Sequence, residues 1–351
     1  MEHSRFEKPF IVWHYTNECN FRCNYCFEDS GSSRDRELSL RQKYSVIDKL
    51  VAVDPKLVAI TGGEPLVSKD FWQTIDYISG RLPFCIGSNG YLMDHNTIDR
   101  LIDAGMTTLN VSMQSSIPEK HDAIRGMKGS FEKVVDAVKY SVKKHIPVEL
   151  SIVAMRSNYD EIPGMIQYCN SLGVKEIELI DFKTIGRGKN MMHEQLNAEE
   201  QSTLFDIAYD SSNRHTRVWC FEPRYPAYRN SKTKDSKEIV LGCGAANGMY
   251  AIQSDGNVTP CSFLTDTSLG NINVSSMERI IKNPTIVREY HERERLEGEC
   301  GSCAIKKNCG GCRARAHALT GNVWASDPSC TGTSFIESTG SIENMQMATG
   351  K

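Results

Sequence analysis

The sequence predicts an α/β fold, an open, partial (β/α)6 barrel followed by a loop- and hairpin-rich cysteine domain. Three observations carry that expectation. The first two hundred or so residues alternate short apolar strands with amphipathic helical stretches, in units of roughly thirty residues. Six such units are present, fewer than the eight of a closed barrel. Eight of the 13 cysteines fall after residue 213, where helical periodicity thins and turn dipeptides appear.

Strands are expected at Phe10–Thr16, Leu57–Thr61, Phe84–Ser88, Leu109–Met113, Val148–Ala154 and Ile177–Phe182. Helical periodicity fills the gaps at Leu40–Val51, Phe71–Ile78, Thr97–Ala104, Phe131–Lys143, Glu161–Leu172 and Ala198–Tyr209. Asn96 reads as a helix start and Gly173 as a helix stop. Strands linked by helices imply a parallel sheet, because parallel pairing needs long crossovers. Beyond the barrel, Asp255-Gly256 between Met249–Gln253 and Asn257–Cys261 reads as a β-hairpin. Met277–Asn283 and Thr285–Leu296 are expected helices, and the Ser/Thr/Gly-rich end is expected to fray. The expected divisions are residues 1–212 for the barrel, 213–330 for the cysteine domain and 331–351 for a flexible tail.

The composition narrows the function. With 41 Lys+Arg against 44 Asp+Glu, the 351-residue chain has a net charge of −3. That balance gives no electrostatic footprint for nucleic acid and no basic block for an anionic membrane. No apolar run reaches the ~20 residues of a membrane span, and MEHSRFEKPF lacks the apolar core of a signal peptide. The expected compartment is therefore the cytoplasm. There, 13 cysteines do not make a disulfide framework, and a core of this size needs no staples. Metal and redox chemistry remain.

Cys19, Cys23 and Cys26 stand at spacings of three and two residues just after the first strand. In a parallel barrel the C-terminal strand ends form the functional face. Three thiolates can hold three irons of a [4Fe–4S] cube and leave the fourth open, whereas electron-carrying clusters use four cysteines. The competing readings are a buried helix face, disfavoured by the interleaved Asn17, Asn20 and Asn24, and a zinc site completed by His14.

The Cys-x3-Cys-x2-Cys loop, with Tyr25 before its last cysteine, resembles the signature of the radical S-adenosylmethionine (SAM) superfamily. Further strings agree in order and in place at strand ends. Thr61-Gly62-Gly63-Glu64-Pro65 resembles the family's GGE motif, and Gly87-Ser88-Asn89-Gly90, Ser112-Met113-Gln114 and His121-Asp122-x-x-Arg125-Gly126 follow. The resemblance spans residues 10–190. It implies reductive cleavage of S-adenosylmethionine to a 5′-deoxyadenosyl radical that abstracts a substrate hydrogen. A low-potential electron donor of flavodoxin or ferredoxin type is implied with it. Cys19, Cys23 and Cys26 would hold the cluster, and Gly62, Gly63 and Glu64 would meet the methionyl group. Ser88, Ser112 and Arg125 would serve the ribose and carboxylate side, and Tyr25 the adenine.

Cys220, Cys243, Cys261, Cys300, Cys303, Cys309, Cys312 and Cys330 lie beyond the barrel, enough to close two four-cysteine clusters. Structural zinc is the alternative, although zinc ribbons separate their pairs by more residues. The spacing resembles the SPASM-type extension, which holds auxiliary [4Fe–4S] clusters. It departs from the usual form between Cys309 and Cys312, with two residues in place of three. By that analogy Cys243, Cys261 and Cys312 serve one cluster, with Cys220 as a fourth ligand. Cys300, Cys303, Cys309 and Cys330 serve the other. Cys85 and Cys169 are left as small core residues.

Two substrate classes compete. Trp13-x-x-Thr16, Gly186-Arg187-Gly188, Cys220-x-x-Pro223, Cys309-Gly-Gly-Cys312-Arg-Ala-Arg-Ala316 and Asp327-Pro328-x-Cys330 are similar to the heme and heme d1 branch, whose members act on tetrapyrrole side chains. Arg187 would suit a substrate carboxylate, while Arg313 and Arg315 can equally neutralise clusters or salt-bridge to the barrel. The other class is a ribosomally made peptide. Many such enzymes carry a leader-binding domain ahead of the barrel, for which the position of Cys19 leaves no room. Tyr25 departs from the His usual in the heme branch. A non-enzymatic Fe–S electron carrier is the third reading. Tetrapyrrole decarboxylation or oxidation is the favoured expectation, and no general acid or base stands out.

Overall fold

The computed structural model describes residues 8–31, 36–232, 242–285, 290, 293–330 and 332. The expected tail lies outside the described residues except for Gly332, and much of the expected helix over Thr285–Leu296 lies outside them as well.

Six strands form as the periodicity predicts: β1 Phe10–Thr16, β2 Leu57–Gly62, β3 Phe84–Ser88, β4 Met106–Ser112, β5 Val148–Ala154 and β6 Glu176–Asp181. Their connections include α1 Leu40–Val51, α2 Phe71–Ile78, α3 His95–Asp103, α4 Pro118–Arg125, α5 Ser130–Lys143, α6 Ile162–Ser171 and α7 Ala198–Ser211. Helix α3 starts earlier than predicted. Its cap is Asp94, whose carboxylate accepts the Thr97 amide at 2.8 Å, and Asn96 lies within the first turn.

A seventh parallel strand, β7 Arg217–Cys220, joins β6 beyond the expected barrel boundary, followed by α8 Tyr225–Lys232. The predicted hairpin forms as β8 Met249–Ile252 and β9 Asn257–Thr259, with Gly256 at φ +83° in its turn. Instead of standing apart, β8 pairs in parallel with β1. A short β10, Gly270–Asn271, follows, so the sheet runs β10-β9-β8-β1-β2-β3-β4-β5-β6-β7 and stays open. Helix α9 is Met277–Ile281, and further helices lie at Gly298–Ser302 and Arg313–Thr320.

Alternation along the strands sorts the two faces of the sheet. Ile11, Trp13 and Tyr15, Val58 and Ile60, Leu150 and Ile152, and Ile177 and Leu179 are almost fully buried in the core. The hydroxyl of Tyr15 reaches Thr74 of α2 at 2.8 Å, which marks this as the helix-covered face. The other parity, including His14, Thr61, Gly87, Ser151, Glu178 and Trp219, faces the concave inside.

Candidate active site

The loop after β1 is tied back on itself. Gly31 donates to Asn17 at 2.9 Å, and Cys19 donates to Gly31 at 3.2 Å. Within it Cys19, Cys23 and Cys26 are free and half-buried. Burial pushes the Cys19 thiol up to about 11, and nearby Glu64, Cys23 and Cys26 push the same way, so the three sulfurs share one locality. The Phe21 amide donates to Cys19 Sγ at 3.3 Å, and Asn89 Nδ2 lies 4.0 Å from it. Such N–H donors favour thiolates over thiols.

The end of β2 presses against this loop. Gly63 donates to Thr16 at 2.8 Å and Glu64 to Glu18 at 2.7 Å. A Cβ at Gly63 would sit 2.0 Å from the Glu18 carbonyl oxygen, so only glycine permits the approach. The Glu64 carboxylate is fully buried and accepts from Ser88 Oγ at 3.0 Å and the Asn89 amide at 2.7 Å. It also accepts from the Leu66 amide at 3.3 Å. Burial lifts its pKa to about 6 against those donors. Glu64 and Ser88 are thus brought together as a brace between β2 and β3.

Arg125 does the same for β4. Its guanidinium donates to the Ser112 carbonyl at 2.5 Å and lies 5.0 Å from the Phe21 ring centre. Its own carbonyl accepts from Cys23 Sγ at 3.5 Å. Tyr25 joins this group: its hydroxyl is pushed up by burial and by Cys23, with Arg125 acting against them. Tyr25, Ser112 and Arg125 therefore meet at the middle cysteine.

Arg187 has a different role from the expected one. Its Nε donates to the Cys23 carbonyl at 2.8 Å, and Nη1 pairs with Asp29 at 3.0 Å and donates to the Ser30 carbonyl. Its amide donates to the Cys26 carbonyl at 2.9 Å. The guanidinium is committed to bracing the cysteine loop, which leaves it unsuited to a substrate carboxylate.

The later cysteines gather into two sets. Cys243 and Cys312 stand close enough to Cys261 that charge on either pushes its thiol up beyond the effect of burial. Cys300 bears on both Cys303 and Cys330, and Cys330 bears on Cys309. The second set receives donors from the Gly311 amide to Cys309 Sγ at 3.4 Å and the Asp327 amide to Cys300 Sγ at 3.4 Å. Arg313 Nη2 lies 3.7 Å from Cys300 Sγ. Cys220 joins neither set. It points from β7 to the helix-covered side, where its thiol donates to the Leu204 carbonyl of α7 at 3.8 Å. Of the two leftover cysteines, Cys169 is fully buried in the core, while Cys85 faces inward, its thiol lifted to about 12 by burial and by Glu149.

Arg315 ties the cysteine-rich segment to the barrel. Its Nη1 contacts both oxygens of Asp327 at 2.9 and 3.0 Å, and its Nη2 reaches Asp181 at 2.5 Å and Glu222 at 2.6 Å. All four residues are buried. Of the two roles open to this arginine, it takes the salt bridge to the barrel.

Comparisons with known proteins decide the family. Residues 13–169 match the radical SAM superfamily, and residues 243–304 match the SPASM iron–sulfur cluster-binding domain. This chain is a radical SAM enzyme with a SPASM domain. Its cofactors are S-adenosylmethionine, the [4Fe–4S] cluster that binds it, and auxiliary [4Fe–4S] clusters. It is 28% identical over 335 residues to the AdoMet-dependent heme synthase of Methanosarcina barkeri, covering 91% of this chain and 95% of that protein. The mycofactocin maturase MftC of Mycobacterium tuberculosis is 28% identical over 91% of this chain and 82% of its own length. In fold the chain is similar to Streptococcus suis SuiB bound to S-adenosylmethionine, with TM-score 0.73 and 16% identity, covering 92% of this chain and 77% of that one.

The residues present suit the clusters of a radical SAM enzyme. Three sulfurs share one loop beside N–H donors, and seven more fall into sets of three and four. Among the described residues, no three His, Cys, Asp or Glu side chains converge tightly enough for one metal ion. A cube holds its thiolates farther apart than a single zinc does. The same residues also show no helix long and apolar enough to cross a membrane.

The inside of the radical SAM barrel carries features that motif reading missed. Trp219, Phe221, Phe263 and Phe27 form a continuous band, with ring centres 5.9, 6.2 and 4.7 Å apart in that order. All four are half-buried. The edge of His14 meets Phe27, and His14 Nδ1 lies 3.4 Å from Glu28. The band joins the radical-cluster loop to the SPASM segment, since Phe27 follows Cys26 and Phe263 lies two residues after Cys261. Beside Trp219 in the sheet register, Glu178 accepts from Ser151 Oγ at 3.0 Å. Burial, then the neighbouring carboxylate, lifts Glu149 to about 7 and Glu178 to about 8. The available signals were aromatics beside cysteines and the alternation Glu176-Ile-Glu178 in a strand.

Proposed function

We propose that this radical SAM enzyme decarboxylates or oxidises a carboxylate side chain of a tetrapyrrole. The observation that carries the reading is similarity to a heme synthase over 91% of this chain and 95% of that protein. The half-buried aromatic band supports it, because a flat macrocycle offers the ring faces that aromatic side chains pack against.

In this reading Cys19, Cys23 and Cys26 hold the radical-generating cluster, and S-adenosylmethionine bound there supplies a 5′-deoxyadenosyl radical that removes one substrate hydrogen. Gly63 and Glu64 keep the end of β2 against the cysteine loop, and Gly62, Gly63 and Glu64 border the methionyl group. Ser88, Ser112 and Arg125 fix the adjoining strand ends, and Tyr25 flanks the adenine. The aromatic band orients the substrate and excludes water, which protects a radical from stray donors. Cys243, Cys261 and Cys312 hold one auxiliary cluster and Cys300, Cys303, Cys309 and Cys330 the other, and Cys220 is omitted as a ligand. The domain division near residue 212, a cytoplasmic location and a flavodoxin- or ferredoxin-type electron donor belong to the same proposal.

The test is anaerobic turnover of iron-coproporphyrin III with S-adenosylmethionine and dithionite. Loss of carbon dioxide from the macrocycle together with 5′-deoxyadenosine supports the reading. Formation of 5′-deoxyadenosine with the macrocycle unchanged overturns it. The second reading, modification of a peptide side chain, is favoured by the similarity to the mycofactocin maturase. It predicts turnover of a peptide encoded beside the enzyme.

A further inference from the structure

Lys183 stands just past the end of β6 and is 5% exposed. Its ammonium donates to the Asp181 backbone carbonyl at 3.0 Å and lies 4.5 Å from the ring centre of Phe263. A buried lysine ordinarily sits in an ion pair, because burying an unpaired charge is costly. Three of the neighbouring carboxylates are committed to arginines, and the fourth, Glu178, accepts from the Ser151 hydroxyl. Asp181, Glu222 and Asp327 are held by Arg315 at 2.5, 2.6 and 2.9 Å, and Arg224 takes Glu222 at 3.3 Å. No carboxylate forms an ion pair with Lys183 among the described residues. An ammonium carries three donors, and the chain's carbonyl uses one.

The surroundings are as informative as the missing partner. Phe263, on which the ammonium rests, contacts Phe27 on one side and Phe221 on the other, so the charge sits at the middle of the aromatic band. Its field reaches Glu178 on the inner face, Asp181 and Glu222 of the Arg315 network, and Cys312 in the SPASM segment, without an ion pair to any of them. The site therefore combines flat apolar walls with one cation that no carboxylate pairs, along a band whose Phe27 follows Cys26 and whose Phe263 lies two residues after Cys261. That combination is complementary to a planar ligand with an anionic edge.

We propose that Lys183 is the residue that binds a substrate carboxylate, pairing with one acid side chain of the macrocycle while its ring lies along Phe263 and Phe221. This rests on the tetrapyrrole reading and names the contact that reading lacks now that Arg187 is committed to the cysteine loop. It also gives Lys183 a role that Arg315, enclosed by three carboxylates, does not share.

The experiment is anaerobic binding to the cluster-loaded enzyme, followed by the Soret band, with iron-coproporphyrin III and its tetramethyl ester as probes. Losing a charge-assisted contact should weaken binding roughly ten- to a hundredfold. The ester should therefore bind the wild type that much more weakly than the acid. Lys183→Met should weaken the acid to the level of the ester, leave ester binding unchanged, and be rescued in part by Lys183→Arg. If acid and ester bind the wild type equally well, the proposal fails whatever the variants do, and the tetrapyrrole reading stands. It fails in the same way if Lys183→Met binds the acid as tightly as the wild type. If neither porphyrin binds the wild type, the tetrapyrrole reading falls and this inference falls with it.

Discussion

Two buried glutamates on the same edge of the sheet are kept ionisable by opposite means. Glu64, at the end of β2, takes its hydrogen bonds among the described residues from neutral donors, the Ser88 hydroxyl and the amides of Leu66 and Asn89, with the Arg125 charge a smaller influence. Burial wins there, and its pKa rises to about 6. Glu222, just past β7, is equally buried, but Arg315 and Arg224 together outweigh burial and hold it down at about 2. Beside the radical-cluster loop the bracing contacts are mostly to backbone groups, those of the Arg125 and Arg187 guanidiniums included, whereas the SPASM segment is tied to the barrel by a buried ion network around Arg315. The cysteines follow this division only in part: Cys19, Cys23 and Cys26 are all half-buried, and of the later sets Cys261, Cys300, Cys309 and Cys312 are buried while Cys243, Cys303 and Cys330 are half-buried. Equal burial thus leaves a carboxylate lifted or depressed according to whether its nearest partners are neutral or charged.

The largest effect should come from the triad Cys19, Cys23 and Cys26. Cys23→Ala should abolish 5′-deoxyadenosine formation and lower iron from about twelve to about eight per chain, the loss of one four-iron cluster. Retention of all the iron would mean that Cys23 is not a ligand.

Arg315→Met should come next. Removing one partner from a buried ion network costs about 3–5 kcal/mol, because the remaining carboxylates stay buried without their cation. Anaerobic denaturation should show that loss. Chelator should also strip the auxiliary clusters of the variant faster than its radical cluster, and equal rates would show that the two halves are not braced separately.

The two glutamates should respond to pH with opposite signs. Glu222 has a folded pKa below its ordinary 4.5, so its stabilisation is present above 4.5 and lost as pH falls towards about 2. Glu64 has a folded pKa above 4.5, so folding favours its neutral form. Its contribution is present below 4.5 and lost as pH rises through about 6. At about 1.4 kcal/mol per pKa unit, these amount to roughly 3 and roughly 2 kcal/mol. Comparing Glu222→Gln and Glu64→Gln with the wild type across pH should reveal both slopes, and slopes of the same sign would remove the contrast.

The smallest effect is expected at Cys220. Its thiol faces α7, so Cys220→Ala should keep about twelve irons per chain and cost about 1 kcal/mol in stability. Loss of about four irons would return it to the ligand set.

Much of this protein was legible from local pattern. The strands β1, β3 and β5 and the helices α1 and α2 begin and end where periodicity placed them, because side-chain alternation is a local property of the backbone. The radical SAM motifs were equally legible, since a cluster loop and a tight glycine approach each need particular residues a few positions apart. The strand β7 was missed because four residues carry too little alternation to announce a strand. The pairing of β8 with β1 was missed because hairpin residues encode their turn but not the edge they will join.

The sequence by itself determined the two cysteine-rich segments, six of the barrel strands and the family chemistry, all of which rest on residue type and short spacing. Tertiary structure alone decided what the charged residues do. Arg187 braces the cysteine loop, Arg315 holds three carboxylates from distant segments, and Cys220 turns away from the other cysteines. Lys183 is left with its charge against an aromatic band. A side chain's partner in space depends on which strand ends converge, and no local pattern in the chain records that.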